Sequence, residues 1–315
     1  MPIPGARETL ILPQGYSVGR ITVYLEGHQQ PSEFLDARGT VQVPSGSKLI
    51  LSLSQDVCDD LRRIHSVPAS LLANGINFCE RNLARTDFRE LLALRPQSLA
   101  VSSCDGLRSE QLLGLGELNS LEHLNLERTP VEGSDFSWVR RLPNLRTLLL
   151  SGTGADSACI PFLASLARLE ELHLANCRIG DHDANAIWCF AGIKAADLGM
   201  CPITDHALED IGRSFALASL SVPDTKVSDE GVEVLVSEAL RTGQKLSFLT
   251  LRSCRITDKA LVRLASLRSL TFIDLYGTEV TPEGASFLKK SLPECRIFVG
   301  RDKGGGPRLW SVDQA

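Results

Sequence analysis

Apolar and polar positions along the chain recur with a fixed period. Leucine or isoleucine stands at Leu121, Leu145, Leu169, Ile193 and Leu217, each 24 residues after the last, and the pattern resumes at Leu246 and Leu270. Each copy opens with the spacing L-x-x-L-x-L-x-x-[T/C]-x-[V/I], cleanest in LEHLNLERTPV from Leu121, LEELHLANCRI from Leu169, LSFLTLRSCRI from Leu246 and LTFIDLYGTEV from Leu270. The alternation through L-x-L predicts a short strand with one buried face. A repeat of about 20–29 residues predicts a stacked solenoid. One unit cannot bury its own apolar face, so parallel strands are expected to line a concave sheet while the second half of each unit returns over the convex side.

Those second halves carry a helical pattern. In ITDKALVRLASL (256–267), Leu261, Leu264 and Leu267 recur every three residues after Thr257 and Asp258, a pair suited to cap a first turn and meet its positive end. ITDHAL from Ile203, VSDEGV from Val227 and VTPEGA from Val280 start alike. Pro282 fits the first helical position, where a missing N–H costs nothing. The unit from Leu217 to Lys245 is five residues longer than its neighbours, and the surplus at 237–245 is expected as a bulge on the convex or edge side.

Degenerate copies extend the pattern both ways, through Leu51 with Leu53, Ile76 with Phe78, Leu99 with Val101, and a truncated last strand at Cys295, Ile297 and Val299. About ten strands spaced by about 4.8 Å predict a stack on the order of 45 Å long. Residues 1–47 fall outside the period. TLILP (9–13), ITVYL (21–25) and TVQVP (40–44) alternate as strands between Gly and Pro turns. They predict a small β-rich cap over the open end of the solenoid, with an independent ligand-binding module as the other reading. The expected organisation is a cap over 1–47, a solenoid of about ten units over 48–299, and a flexible tail over 300–315 holding three consecutive glycines, Leu309 and Trp310.

Composition narrows the class. At 315 residues, 43% apolar, 23% charged and 5% aromatic, the chain has the Leu, Val and Ile for a long narrow core. No run of about 18 apolar residues occurs, so no membrane span is expected. The start MPIPGARETL lacks a charged-then-apolar signal pattern, and a cytoplasmic location is expected. A net charge of -5 argues against a general nucleic-acid surface. The basic excess between Lys289 and Arg308 reads as a solvated end, without the interleaved aromatics of a stacking platform.

Nine cysteines raise zinc and disulfides as readings. Cys104, Cys177, Cys201 and Cys254, however, occupy the ninth position of a repeat, which Thr129, Thr153, Thr225 and Thr278 fill in other copies. A small side chain with a weak donor, turned inward after the strand, serves backbone groups in the turn. Cys177 and Cys201 stand in adjacent units at a spacing a disulfide can bridge. The odd total, with no C-x-x-C pair and no N-x-[S/T] sequon, favours buried reduced thiols and no metal.

The spacing resembles the leucine-rich repeat, and CPITD at Cys201 and CRITD at Cys254 are more specific. They resemble the cysteine-containing subclass known from substrate receptors of ubiquitin ligases, and also the T-x-[V/I]-[T/S]-D repeats abundant in bacterial proteins. The short period, the absence of a leucine- and proline-rich F-box segment before the repeats, and the string ARGTVQVPSGSKLILSLS (37–54) lean toward the bacterial group. The resemblance implies an α/β leucine-rich-repeat solenoid, with a parallel sheet on the concave face and short helices on the convex face, acting as a recognition scaffold. A fold of this kind does not identify its ligand.

Catalysis has little support: G-x-S-x-G, H-E-x-x-H and G-x-x-x-x-G-K do not occur, and GLG (114–116) and GTG (152–154) read as turn glycines. No cofactor is expected. Function is expected on outward strand positions, where two patches depart from a plain polar surface. The first holds His123 and Glu127, then Glu170, Glu171 and His173, then Asp197. His173 and Asp197 share the fifth position of neighbouring units, and an acidic neighbour there would favour the protonated imidazole. This patch reads as an acidic face for a basic partner, or as a metal or acid/base site built from His173, Glu171 and Asp197. The second patch holds Phe248, Phe272, Tyr276 and Arg252, residue types that binding hot spots use; the alternative is that the tail folds back over them. Trp138 and Trp188 read as packing between convex returns. A non-catalytic scaffold for another protein or peptide is the expected function, with a ligase-type substrate adaptor as the alternative.

Overall fold

The computed structural model describes residues 7–72, 75–188, 192–300 and 310–311. The chain divides into two units, Met1–Leu149 and Leu150–Ala315, and the division falls inside the expected repeat region.

In the first unit, β1 (Arg7–Ile11), β2 (Gly19–Tyr24), β3 (Glu33–Asp36), β4 (Thr40–Pro44) and β5 (Lys48–Leu53) precede the repeats. β1 pairs antiparallel with β4, and β2 lies antiparallel between β3 and β5. β3 was not legible in the period-2 pattern. β5 belongs to both arrangements, because its other edge pairs in parallel with β6 (Ile76–Asn77), which is followed by β7 (Ser98–Ala100), β8 (His123–Asn125) and β9 (Thr147–Leu149). The returns are short: α1 (Gln55–Asp59), α2 (Ala69–Leu72), α3 (Ser109–Leu115), and 3-10 turns at Phe88–Leu94 and Gly133–Arg141. Trp138 is buried in the last of these, its ring stacked on Phe136 at 6.4 Å between centroids. The side chain of Trp188 lies outside the described residues.

The second unit repeats the pattern with better helices. β10 (Glu171–His173), β11 (Ala195–Asp197), β12 (Ser219–Ser221), β13 (Phe248–Thr250), β14 (Phe272–Tyr276) and β15 (Arg296–Gly300) pair in parallel, each with the next. α4 (Ile160–Leu163), α5 (Asp181–Trp188), α6 (Asp205–Arg213), α7 (Asp229–Thr242), α8 (Asp258–Leu264) and α9 (Pro282–Ser291) form the returns. The fold is an α/β leucine-rich-repeat solenoid type, with leucines of the first, fourth and sixth positions buried between the strands and helices of each unit. The surplus at 237–245 is no bulge. It lengthens α7 to 14 residues, closed by Gly243 at φ +74°, because VEVLVSEAL keeps a helical apolar stripe past the usual stop. Trp310–Ser311 forms β16, antiparallel to β15.

Three devices hold neighbouring repeats in register. The eighth position adopts a left-handed backbone in copy after copy, at Glu80, Ser103, Arg128, Asn176, Met200, Asp224 and Ser253, with φ between +53° and +61°. At Glu80, Ser103, Asn176, Met200, Asp224 and Ser253 its N–H donates to the seventh-position carbonyl of the next repeat, as in Asn176 to Gly199 (2.7 Å), Met200 to Pro223 (2.8 Å) and Ser253 to Tyr276 (2.8 Å). The hydrogen-bond gain across the stack offsets a conformation that costs roughly 1–2 kcal/mol for a non-glycine residue.

At the ninth position, threonine and cysteine do different jobs. Thr129, Thr153, Thr225 and Thr278 donate Oγ1–H to the carbonyl three residues back in their own repeat, at 2.5 to 2.8 Å. Cys104, Cys177, Cys201 and Cys254 donate Sγ–H to the sixth-position carbonyl of the preceding repeat, at 3.1 to 3.3 Å. The longer C–S bonds reach across the stack where a hydroxyl does not.

The third device is a carboxylate chain along the helix starts. Asp181 accepts the N–H and hydroxyl of Thr204 (both 2.7 Å), Asp205 those of Ser228 (2.7 and 2.6 Å), Asp229 those of Thr257 (2.8 and 2.6 Å) and Asp258 those of Thr281 (2.9 and 2.6 Å). Each Thr or Ser oxygen in turn accepts an N–H from its own helix, such as Lys259 onto Thr257 at 3.3 Å. The T-D and S-D pairs thus cap one helix and clamp the next.

All eight described cysteines are free. Burial pushes the Cys58 and Cys159 thiols up to about 12 and those of Cys104 and Cys201 to about 11. These folded values lie above the unfolded one near 9, so the unfolded chain sheds its protons first; stability is intact below pH 9 and is expected to fall as pH climbs towards 12. Among the described cysteines, a thiol reagent at about pH 8 is expected to modify half-buried Cys79 first and to reach Cys58, Cys104, Cys159 and Cys201 only on unfolding. Rapid native labelling of those four would contradict the packing.

Candidate functional site

Side chains at the third and fifth positions of each repeat stand on the open side of the strands, and their neighbours are set by the parallel register. In residues 150–300 the third position runs Glu171, Ala195, Ser219, Phe248, Phe272 and Arg296, and the fifth runs His173, Asp197, Ser221, Thr250, Asp274 and Phe298. Alanine and serine in the middle form a floor of short side chains between an acidic edge and an aromatic one.

At the aromatic edge, Phe248 and Phe272 are register partners, and their rings lie parallel within 1° at 4.1 Å between centroids. Phe248 is 37% exposed and Phe272 half-buried. Phe298 extends the stack, 5.2 Å from Phe272 and tilted by 39°. It was missed in the sequence because the last unit lacks the motif's leucines, although it stands 24 residues after Asp274, the fifth position of the unit before.

Tyr276 does not stand out from the face as expected. It is 4% exposed, and the Arg252 guanidinium lies over its ring at 4.5 Å. The cation covers the ring instead of standing beside an open phenol, so Arg252 is the exposed member of the pair.

At the acidic edge, His173 and Asp197 are register partners, yet the imidazole turns elsewhere: its Nε2 lies 3.1 Å from Glu171 Oε1 on its own strand. Asp197 Oδ1 accepts the Gly199 N–H at 2.9 Å. Asn77, Asn125 and Asp274 make the same bond two residues on, to Cys79, Glu127 and Tyr276. The fifth-position Asp or Asn is therefore a turn former that holds the strand end. His173, Glu171 and Asp197 do not converge on one point. Among the described residues no three His, Cys, Asp or Glu side chains form a group able to hold a metal ion. Glu170 is ion-paired with Lys194 at 3.1 Å, which leaves the edge less acidic than the residue count implies.

In the first unit, exposed His123 meets the Thr147 hydroxyl at 3.0 Å across β8 and β9, and Glu127 is half-buried beside Asn125. No described helix is long and apolar enough to cross a membrane.

Strand spacing, ninth-position turns and helical returns define a leucine-rich-repeat fold. A family model described as Leucine Rich repeat matches residues 168–187. Two curated relatives are cattle (Bos taurus) proteins: NACHT, LRR and PYD domains-containing protein 9, 33% identical over 115 residues, and NACHT, LRR and PYD domains-containing protein 5, 24% identical over 245 residues. These alignments cover 33% and 67% of this chain but only 12% and 21% of the relatives, so the chain spans a small part of their length. Among solved structures, an internalin (InlF) from Listeria monocytogenes shares the fold with a TM-score of 0.52 at 18% identity, over 78% of each chain.

Proposed function

We propose that the chain is a non-catalytic scaffold that binds another protein or peptide on the strand face of residues 150–300. The supporting observation is the Phe248–Phe272 stack, two parallel phenyl rings on the open side of their strands, with short polar Ser219 and Ser221 on one side and Phe298 on the other. Apolar rings packed face to face on an open strand surface fit the aromatic anchors that dominate interfaces. Phe298 and Arg252 frame the anchor, while Glu171 and His173, with Asp197 beside them, orient a basic partner. Tyr276 contributes by fixing Arg252. His123 and Glu127 are candidates on the strand face of the first unit.

The free, buried thiols favour a cytoplasmic setting, and the split roles of Cys and Thr at the ninth position favour the cysteine-containing type of repeat. Affinity capture from source lysate with wild type and with a Phe248→Ser, Phe272→Ser double variant tests the reading. A protein held by wild type is expected to be lost by the folded variant, with single Phe272→Ala weakening binding by more than about 1 kcal/mol. Identical retained sets would remove the stack from the interface.

A further inference from the structure

The sheet of residues 150–315 ends in an unusual way. The inner edge of β15 pairs with β14 over five residue pairs, from Phe272 with Arg296 to Tyr276 with Gly300. Among the described residues its outer edge meets two, Val299 facing Trp310 and Phe298 facing Ser311, and there the strand direction reverses.

An uncovered edge strand is a template for another chain, and proteins guard such edges with charge, brevity or a covering segment. The first unit uses charge. Its edge strand β3 carries Glu33, ion-paired with Arg7 at 3.4 Å, and Asp36, which accepts the Ser17 hydroxyl. β15 has the sequence RIFVG, with one charge at its start, four apolar or small residues after it and no proline. Among the described residues its protection is the two-residue strand β16.

We propose that the outer edge of β15 is a strand-acceptor site held closed by Trp310–Ser311, and that a second copy of this chain fills it when that segment is withdrawn. The occupant follows from direction and charge. The edge already accepts an antiparallel strand, and two identical strands related by a two-fold axis run antiparallel. Centred on Phe298, RIFVG set against itself places phenyl against phenyl, Ile297 against Val299 and Arg296 against Gly300, so no like charges meet. The Arg296 N–H points inward to the Thr271 carbonyl, so by alternation Ile297 and Val299 present their N–H groups to the incoming copy.

Light scattering on a sizing column, at tens of micromolar, tests this with three proteins. The full chain is expected to run as a monomer of 34.3 kDa. A chain ending at Gly300 is expected to run at twice its own mass. The same shortened chain with Phe298→Lys, which puts like charges on the two-fold axis, is expected to return to monomer. A shortened chain that stays monomeric, a dimer that survives Phe298→Lys, or a full chain that is already dimeric would each overturn the proposal. Should the shortened chain fail to fold, the full chain with Trp310→Pro and Ser311→Pro releases the edge without truncation and is read by the same masses.

Discussion

Replacing Gly19 with alanine is expected to lower unfolding stability by about 2–4 kcal/mol, read as a fall in urea midpoint at constant slope. Gly19 sits at φ +149°, opposite Leu53 at the end of the β2–β5 pairing. An added Cβ would stand 1.9 Å from the Ser52 carbonyl oxygen and 2.9 Å from Leu53 Cα. Both obstacles are backbone, so no rotamer change makes room. Retreat of β2 would also break the Ala37 N–H bond to the Gly19 carbonyl (2.9 Å) and the Gly19 N–H bond to Ser17 (3.2 Å). β5 is the strand through which the antiparallel sheet meets the parallel series; the Leu51 N–H turns to Gly75, so by alternation the Arg20 and Ser52 amides face each other across β2 and β5, and hydrogen exchange should rise first there. A variant within about 0.5 kcal/mol of wild type would show that β2 and β5 do not approach this closely.

Asp229→Ala should be nearly as damaging, at about 2–3 kcal/mol. The carboxylate accepts two hydrogen bonds from Thr257, 2.8 Å from its N–H and 2.6 Å from its hydroxyl, and lies in the first turn of α7. Truncation leaves a half-buried N–H and hydroxyl without an acceptor and removes a favourable charge from a helix start. Asp229→Asn keeps one acceptor oxygen and should cost about half as much. The loss should couple to Thr257: in a double-mutant cycle with Thr257→Ala, the combined cost should fall short of the sum by about 1 kcal/mol or more. Strict additivity would mean that the inter-repeat clamp carries no energy.

Much of the second unit could be read from the chain because its core positions are chemically uniform. A leucine at the first, fourth and sixth positions of LEELHL or LTFIDL has one physical role, and Pro282 or Thr257 announces a helix start by local chemistry alone. The left-handed eighth position could not be read so. Asn176, Met200, Asp224 and Ser253 share no side-chain property, because the conformation is imposed by hydrogen bonds to the next repeat.

The same limit explains the candidate face. Phe248 beside Phe272 followed from register, but whether a ring is open or covered depends on neighbours of unlike sequence position, as Arg252 over Tyr276 shows. Asp197 looked like a partner for His173 because strand register fixes Cα atoms and not rotamers; a free N–H at Gly199 claimed it first.

The division of labour at the ninth position makes the order of repeats matter. Where Thr precedes Cys, as at Thr153 with Cys177 and Thr225 with Cys254, one carbonyl receives both side-chain donors: Leu150 in the first case, Val222 in the second. Where Cys precedes Thr, as at Cys201 then Thr225, the two donors go to Leu174 and Val222, and the carbonyl of Leu198 between them is passed over. The repeats are consequently not interchangeable cassettes. Shuffling intact copies would preserve every leucine and still redistribute these donors, whereas an array built from a single type would supply one per joint.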